Sequence, residues 1–439
     1  MSAAELRYGI APIPDGSVAY QPDVIVVGGG AEAIRAESSD GLRWTIDGAA
    51  PRARDLVPGK VFFMTGRAVG RVLDVRPEGA NLIVTVGPVD LTELVREAHI
   101  HIKAMPVDFS QAVAYSAPGL PGQVVPLPVA QVAPTGKFIP AAYLPASNAV
   151  PDVSNLVHFK AEPSVSSSGL GMSVSSDGGG LKVRAETTVR LDAPKLDVNI
   201  DIAPRSGGVA DASVELTGAT GLAWKFQIGT DVGLKANVNG ILQPATDFSI
   251  FVGGIGPLPV CVTVRQRFMI TTSLGVRNST LSANGDYAFN GGFKVGYVGK
   301  RWSIAGPVGF HANRTILQTA SGITMAASGV DLTNQLQVIA GVGTHGFAAG
   351  PYFSFTSTIG LFKGSDLGMI PCREATLVIK LNGGVGYVIP QAVTDAINSI
   401  LSALNIKYSI RGEGGLQPRQ AATIVEKTST LPGCHASKT

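Results

Sequence analysis

From Val153 onward the chain is a succession of short runs in which apolar and polar residues alternate, separated by Gly, Asn and Asp. Alternation at period two places successive side chains on opposite faces of a strand. Many short strands with turn residues between them leave two main architectures open, a sandwich or a barrel. The fullest run is Gly256–Val276. Val260, Val262, Val264, Phe268, Ile270, Leu274 and Val276 share one parity and predict an apolar face, while Cys261, Thr263, Arg265 and Arg267 share the other and are expected to stay wet. Pro257 and Pro259 precede the run, where a missing N–H does least harm. The run reads as a central strand. Its apolar face requires a partner sheet, for which Tyr352–Phe362 and Thr376–Leu381 are the best candidates.

Other expected strands in this region are Leu181–Leu191, Leu196–Ile202 after a turn at Asp192-Ala193-Pro194, Ser213–Leu216, Trp224–Ile228, Leu234–Val238, Phe248–Val252, Tyr287–Phe289, Phe293–Val298, Trp302–Ile304, Thr315–Gln318 and Gln335–Ala340. One amphipathic helix follows Pro390, marked by Val393, Ala396, Ile397, Ile400, Leu401 and Leu404. It is expected to cap an open end of the sheets or cover an edge.

The N-terminal part differs. Residues 1–20 read as irregular, and 21–105 as a small β-rich module. Within it Ala33–Ser38 and Leu42–Ile46 form a hairpin across Asp40-Gly41. Lys60–Met64 is a strand, and Val69–Val75 pairs with Leu82–Val86. Asp90 and Glu93 make a capping-box start for a helix through Ala98. His99–Lys103 returns to alternation. The wording GKVFFMTGRAVGRVLDV followed by LTELVREAHI resembles modules of uncharacterised bacterial proteins, a resemblance that implies no activity. Residues 106–151 form a Pro-rich extended arm or linker, since Pro blocks both helix and central strand. The arm carries Val124, Val125, Leu127, Phe138, Ile139 and Leu144, so it is expected to lie along a surface of its own domain or of a neighbouring copy. Residues 152–411 form the large antiparallel β domain, and 412–439 a loose tail to which Thr423–Val425 can add a strand. The fold class is thus mostly β: a small module plus a large sandwich or barrel-like domain with one helix near the C-terminus.

Composition narrows the partners. Of 439 residues 45% are hydrophobic and only 15% charged, against about 25% charged in an average soluble protein. A surface this uncharged is expected to be covered by a partner, by copies of the same chain, or by lipid. The net charge is +3 and no Lys/Arg cluster alternates with aromatics, which argues against nucleic acid. No window supplies the roughly twenty apolar residues of a membrane helix. A transmembrane β-barrel fits the alternation but not the 6% aromatic content, because such barrels carry aromatic girdles. The start of the chain lacks the basic and apolar segments of a secretory signal. An extracellular or cell-surface place is nevertheless expected, with the cytoplasm as the alternative.

The glycine run Gly28, Gly30 and Ala33 has the GxGxxA spacing of dinucleotide-binding folds, with Asp47 about twenty residues on. Only some eight residues separate it from the next strand, too few for the crossover of a βαβ unit, so residues 28–33 are read as a decoy. His99 and His101 share a strand face as paired metal ligands do, but nothing in the sequence brings His158, His311 or His345 to them, and zinc needs three or four converging ligands. The acidic row Asp197, Asn199 and Asp201 lacks the glycine turn of a calcium loop. Cys261 and Cys372 each follow a proline and open a strand; they are either two buried thiols or a disulfide, with Cys434 left over. Asn278-Ser279-Thr280 and Asn313-Arg314-Thr315 match the glycosylation pattern. Trp224 and Trp302, with Trp44, are the candidate ligand platforms. No catalytic motif and no cofactor is expected. The leading reading is a non-enzymatic structural or interaction protein that self-associates into a fibre, shell or surface assembly. A sandwich or barrel that binds an apolar ligand or carbohydrate is the alternative, and a membrane-associated β-barrel the third.

Overall fold

The computed structural model describes residues 2–13, 15–38, 40–109, 112–116, 124–126, 159–178, 181–203, 208–230, 239–242, 246–251, 258–274, 279–324, 328–344, 347–363, 373–389, 391–404, 409–416, 418 and 421–430. Among the described residues three sheets, almost entirely antiparallel, carry the fold: one of six strands and two of ten.

The six-stranded sheet is the N-terminal module. Its spatial order is Val24–Val26, Val61–Phe63, Val69–Glu78, Asn81–Gly87, Arg43–Asp47 and Ile34–Glu37. The expected hairpin is present, with Ile34 opposite Ile46 and Glu37 opposite Trp44. Val24–Val26 runs parallel to Val61–Phe63. Residues 1–20, expected to be irregular, hold two regular elements: Ser2 caps a helix, Ala3–Tyr8, in a full capping box, and Val18–Tyr20 is a strand.

The first ten-stranded sheet is a long ribbon sheet. Leu181–Ala203 and Gly208–Thr230 pair along their whole 23-residue lengths. Each is long enough to take two different neighbours end to end. Along the first strand these are Gly169–Gly178, with Phe159–Ser166 beyond it, and Val95–Pro106, with Val18–Tyr20 beyond it. Along the second they are Thr280–Asn290 and Gly292–Val298, followed outward by Val308–Arg314 and Arg301–Ala305. The expected turn at Asp192–Pro194 is a correction: the strand continues, and the register jumps between Leu191 and Lys195. Ala193 takes a φ of +42° there, opposite Gly218 at +84°. A β-bulge absorbs the extra residues and switches the outward parity from the Lys182–Arg190 set to Asp197, Asn199 and Asp201.

The second ten-stranded sheet contains the central run, Cys261–Leu274. Ser328–Gly343 pairs with it on one side, followed by Ala348–Lys363 and Arg373–Val388. Two expectations are corrected here. Tyr352–Phe362 and Thr376–Leu381 lie in the same sheet as the central strand, not in the sheet facing it. The facing sheet is the ribbon sheet: Trp224 meets Phe268 at 6.0 Å between ring centroids, and Phe293 meets Phe353 at 5.6 Å and Phe355 at 4.7 Å. The second face of the central strand is also not wet. Cys261, Thr263 and Arg265 are buried, and so are Gln337 and Ser354 on the adjoining strands. At the Cys261 end the cover is the N-terminal module, whose Gly66 lies against Pro259 and Cys261 and whose carbonyl accepts from Gly343 N–H at 2.9 Å.

Two short helices also differ from expectation. Asp90 caps a helix, but it spans only Leu91–Leu94, and a strand begins at Val95. A register shift opposite Ala19 and Tyr20 puts Val95 and Ala98 on one face three residues apart. That spacing imitates a helix. Thr315–Gln318, expected as a strand, opens a helix, Ile316–Thr319, through a reciprocal Thr315/Gln318 capping box. The C-terminal helix forms at Gln391–Ala403, with Val393, Ile397 and Leu401 buried. The tail is not loose throughout: Glu413–Leu416 and Ala422–Thr430 pair with Arg373–Val388. One large continuous apolar core runs from Tyr8 through both large sheets to Ile410, and Ile339, Ala348 and Tyr352 form a small separate cluster. Among the described residues no helix is long and apolar enough to cross a membrane.

Candidate functional site

The arm enters the fold as strands. Val113–Ser116 pairs with Thr246–Phe251, Val113 opposite Ser249 and Ser116 opposite Thr246. Val124–Pro126 pairs with Asn239–Leu242, Val124 opposite Leu242 and Pro126 opposite Gly240. Both inner partners pair in turn with Cys261–Leu274. The arm therefore forms one margin of the central sheet. The attachment is made by backbone hydrogen bonds, which any extended segment without a badly placed proline can supply. Pro126 ends its strand opposite Gly240, and the end of an edge strand is a place where proline is tolerated.

The ribbon sheet has its own margin at Arg301–Ala305 and Val308–Arg314. Among the described residues each pairs on one side only. Val308 is 69% exposed there. Trp302 packs on Tyr297 at 5.1 Å and is half-buried. From the other large sheet Ile424 presses on Gly306, and Lys427 lies over the Phe310 ring at 5.2 Å. Just inside this margin Arg190 grips Asp286 with two bonds of 2.8 and 2.9 Å, and Asn313 Nδ2 donates to the same carboxylate at 3.0 Å. The hydrogen bond from Arg190 holds the Asp286 carboxyl below the usual carboxylate range. Asn313, one of the two candidate glycosylation positions, is thus engaged through its amide. Asn278 lies outside the described residues.

The histidine pair is brought to an acid by register. His99 stands opposite Asp201 and His101 opposite Asn199. His99 Nδ1 is 2.9 Å from Asp201 Oδ1, and His101 Nε2 is 3.6 Å from the same oxygen. Asp197, the third member of the acidic row, accepts the Ala104 backbone N–H. Both rings are turned toward the carboxylate, and among the described residues no group of three His, Cys, Asp or Glu is arranged to hold a metal. His311 is on the far margin, while His158 and His345 lie outside the described residues.

The remaining candidates are placed as follows. Trp224 is buried between the two large sheets and presents no surface for an external ligand. Trp44 is buried in the N-terminal module, donating to Gly41 O at 3.1 Å. Cys261 is a buried free thiol, pushed up to about 12 by desolvation; Cys372 and Cys434 lie outside the described residues. The glycine run folds as the strand Val24–Val26, a single 3-10 turn at Gly30–Ala33 and then the hairpin. Asp47, at the ribose-acid position of the resemblance, binds Arg35 at 2.6 Å and accepts Ala49 N–H at 2.8 Å. Sequence reasoning missed Asp331, buried on the second face of the central sheet with one carboxylate oxygen unpartnered among the described residues. A lone acid inside an otherwise strand-like run was the available signal.

Fold and margins together define a class: a two-sheet antiparallel β protein with a small β module docked at one end and an extended arm strand-paired along one sheet. Residues 141–417, more than half of the chain, match the family described as "Domain of unknown function (DUF8402)", and the chain belongs to that family. Residues 4–97 are similar to a second family, "Domain of unknown function (DUF8403)". No curated protein and no solved structure matches the chain.

Proposed function

We propose that this chain is a non-enzymatic structural protein whose copies join by strand addition through the Pro-rich arm. The observation that carries the reading is the pairing of Val113–Ser116 and Val124–Pro126 onto the margin of the central sheet. A segment held by main-chain bonds at a sheet margin can make the same bonds to the margin of another copy. Exchange of an identical element between protomers is a low-cost route to association. Thirty-two residues, 127–158, separate Pro126 from Phe159; a chain of that length reaches up to about 100 Å when extended. The low charge of the sequence, 15%, supports a surface that is covered in the working state, since charge is what keeps protein surfaces apart. A cell-surface setting for such an assembly is part of the same reading.

The test is mass measurement by light scattering, with direct imaging, on the full chain and on Val125→Pro. The substitution removes one backbone donor from the arm strand. The expected result is an oligomer or polymer for the parent and a shift toward monomer for the variant. A parent that stays strictly monomeric at high concentration refutes the reading.

A further inference from the structure

The space between the two large sheets is lined almost wholly by Val, Leu, Ile and Phe. Ser176 and Thr272 are buried polar positions on these faces, and a group of five others stands together as a belt. On the central sheet it consists of Gln266, Asn334 and Ser357; on the ribbon sheet it consists of Thr187 and Trp224. None of the five is more than 4% exposed. Among the described residues no hydrogen-bond partner is found for both amide atoms of Gln266, both of Asn334, Ser357 Oγ, Thr187 Oγ1 or Trp224 Nε1.

Register puts these groups in one place. Asn334 stands directly between Phe268 and Ser357 on its neighbouring strands, and Gln266 is two residues from Phe268 on the same face. Thr187 stands directly opposite Trp224. The two halves meet where the Trp224 ring contacts Phe268, at 6.0 Å between centroids. A buried polar atom without a partner costs about 1–3 kcal/mol. Seven of them together cost on the order of the whole 5–15 kcal/mol by which a domain is stable. Natural cores do not leave such a belt unpaired.

We propose that the belt is an internal binding site for a small neutral molecule bearing hydroxyl or amide groups and one apolar face. The chemistry of the lining sets that class. The five side chains carry donors and acceptors in mixture and no formal charge, so an ion is not favoured. Two amides, two hydroxyls and an indole N–H occupy neighbouring register positions within apolar walls, as in ligand sites where a few polar groups fix orientation. The Trp224 and Phe268 rings supply an apolar wall for the other side of the guest. This assignment is independent of how copies of the chain assemble.

Native mass spectrometry of the full chain, paired with analysis of what denaturation releases, tests it. The expected result is a species heavier than the chain by one small molecule, which appears in the released fraction. Ser357→Ala deletes one polar atom and little else, while Trp224→Phe removes the indole N–H together with part of the apolar wall; each is expected to lower the fraction carrying the added mass. An unliganded belt behaves in the opposite way, because deleting an unpartnered hydroxyl raises the thermal midpoint. A parent of bare chain mass, whose Ser357→Ala variant is as stable or more stable, overturns the proposal. So does an added mass that neither substitution affects, since that molecule is bound elsewhere.

Discussion

Replacing Asp331 by Asn should remove a pH dependence of stability that the fold imposes on this chain. Asp331 lies on Ser328–Gly343, opposite Thr271 on one side and Gly360 on the other, and is 4% exposed. Its Oδ1 atom has no hydrogen-bond partner among the described residues. Desolvation by burial pushes its carboxyl from the ordinary 3.8 up to about 7. In the unfolded chain the group loses its proton near pH 4; in the native protein it keeps it until near pH 7. Between those values the native state binds more protons, so stability falls as pH rises. The contribution is fully present below about pH 4 and is lost by the time pH has passed about 7. A rise from 3.8 to about 7, at about 1.4 kcal/mol per pH unit, comes to about 4 kcal/mol. Asn copies the shape of the protonated acid and does not ionise. Asp331→Asn should therefore match the parent at pH 4 and exceed it by about 4 kcal/mol at pH 8. Equilibrium urea unfolding of both proteins from pH 4 to pH 9 measures the difference directly. Parallel stability curves would show that burial does not raise the Asp331 carboxyl, and a variant less stable than the parent at pH 8 would show that the native protein stabilises the carboxylate.

Two further outcomes follow from the same packing. Gly66→Ala would press a methyl group onto the Pro259 carbonyl and to 3.2 Å from Cys261 Sγ; overpacking of this kind costs about 1–3 kcal/mol, seen as a lower unfolding midpoint and earlier proteolysis at the junction, and an unchanged midpoint would mean that the module is not docked there. Asp286→Asn breaks the two-bond pair with Arg190, but the two side chains are 33% and 38% exposed, so solvent screening limits the loss to about 1 kcal/mol or less; because Asp286 is held below the usual range, that loss should be seen at pH 7 and vanish as pH falls through the carboxylate range.

Periodicity made the strands legible, and most of those expected from it form. It could not say which strands are neighbours. Tyr352–Phe362 and Thr376–Leu381 have the apolar parity a facing sheet needs, but the same parity serves a strand in the same sheet. Bulges misled more. The register shift near Val95 converts alternation into a three-residue spacing and reads as helix, while the insertion at Asp192–Pro194 reads as a turn. His99, His101 and Asp201 were each legible as polar strand positions, but their convergence depends on a pairing between residues a hundred positions apart. The wet face expected for Arg265 failed for a related reason: whether a second face is covered depends on the rest of the chain. Gln266 and Asn334 were visible as polar breaks in apolar parity, but a break in one strand has no meaning until register aligns it with a break in the next.

That alignment bears on how the large domain reaches one structure. Strands of 14–16 residues with largely apolar faces tolerate a slip of two residues wherever the face is apolar throughout, because a two-residue slip keeps every side chain on its own face. The hydrophobic term alone then distinguishes neighbouring registers poorly. The polar belt distinguishes them well. A two-residue slip moves Gln266 or Asn334 by about 6.6 Å along the sheet and sets an amide among leucines and valines, away from the other polar groups and from anything bound to them. Each misplaced amide then costs about 1–3 kcal/mol. A guest that satisfies the belt in the native register widens this gap, since it binds only where the five side chains converge. The arm has no such device in its backbone bonds, which accept any extended partner. Among the described residues the fold thus fixes its core register by side chains and its arm by main-chain pairing, the combination that the proposed strand exchange requires.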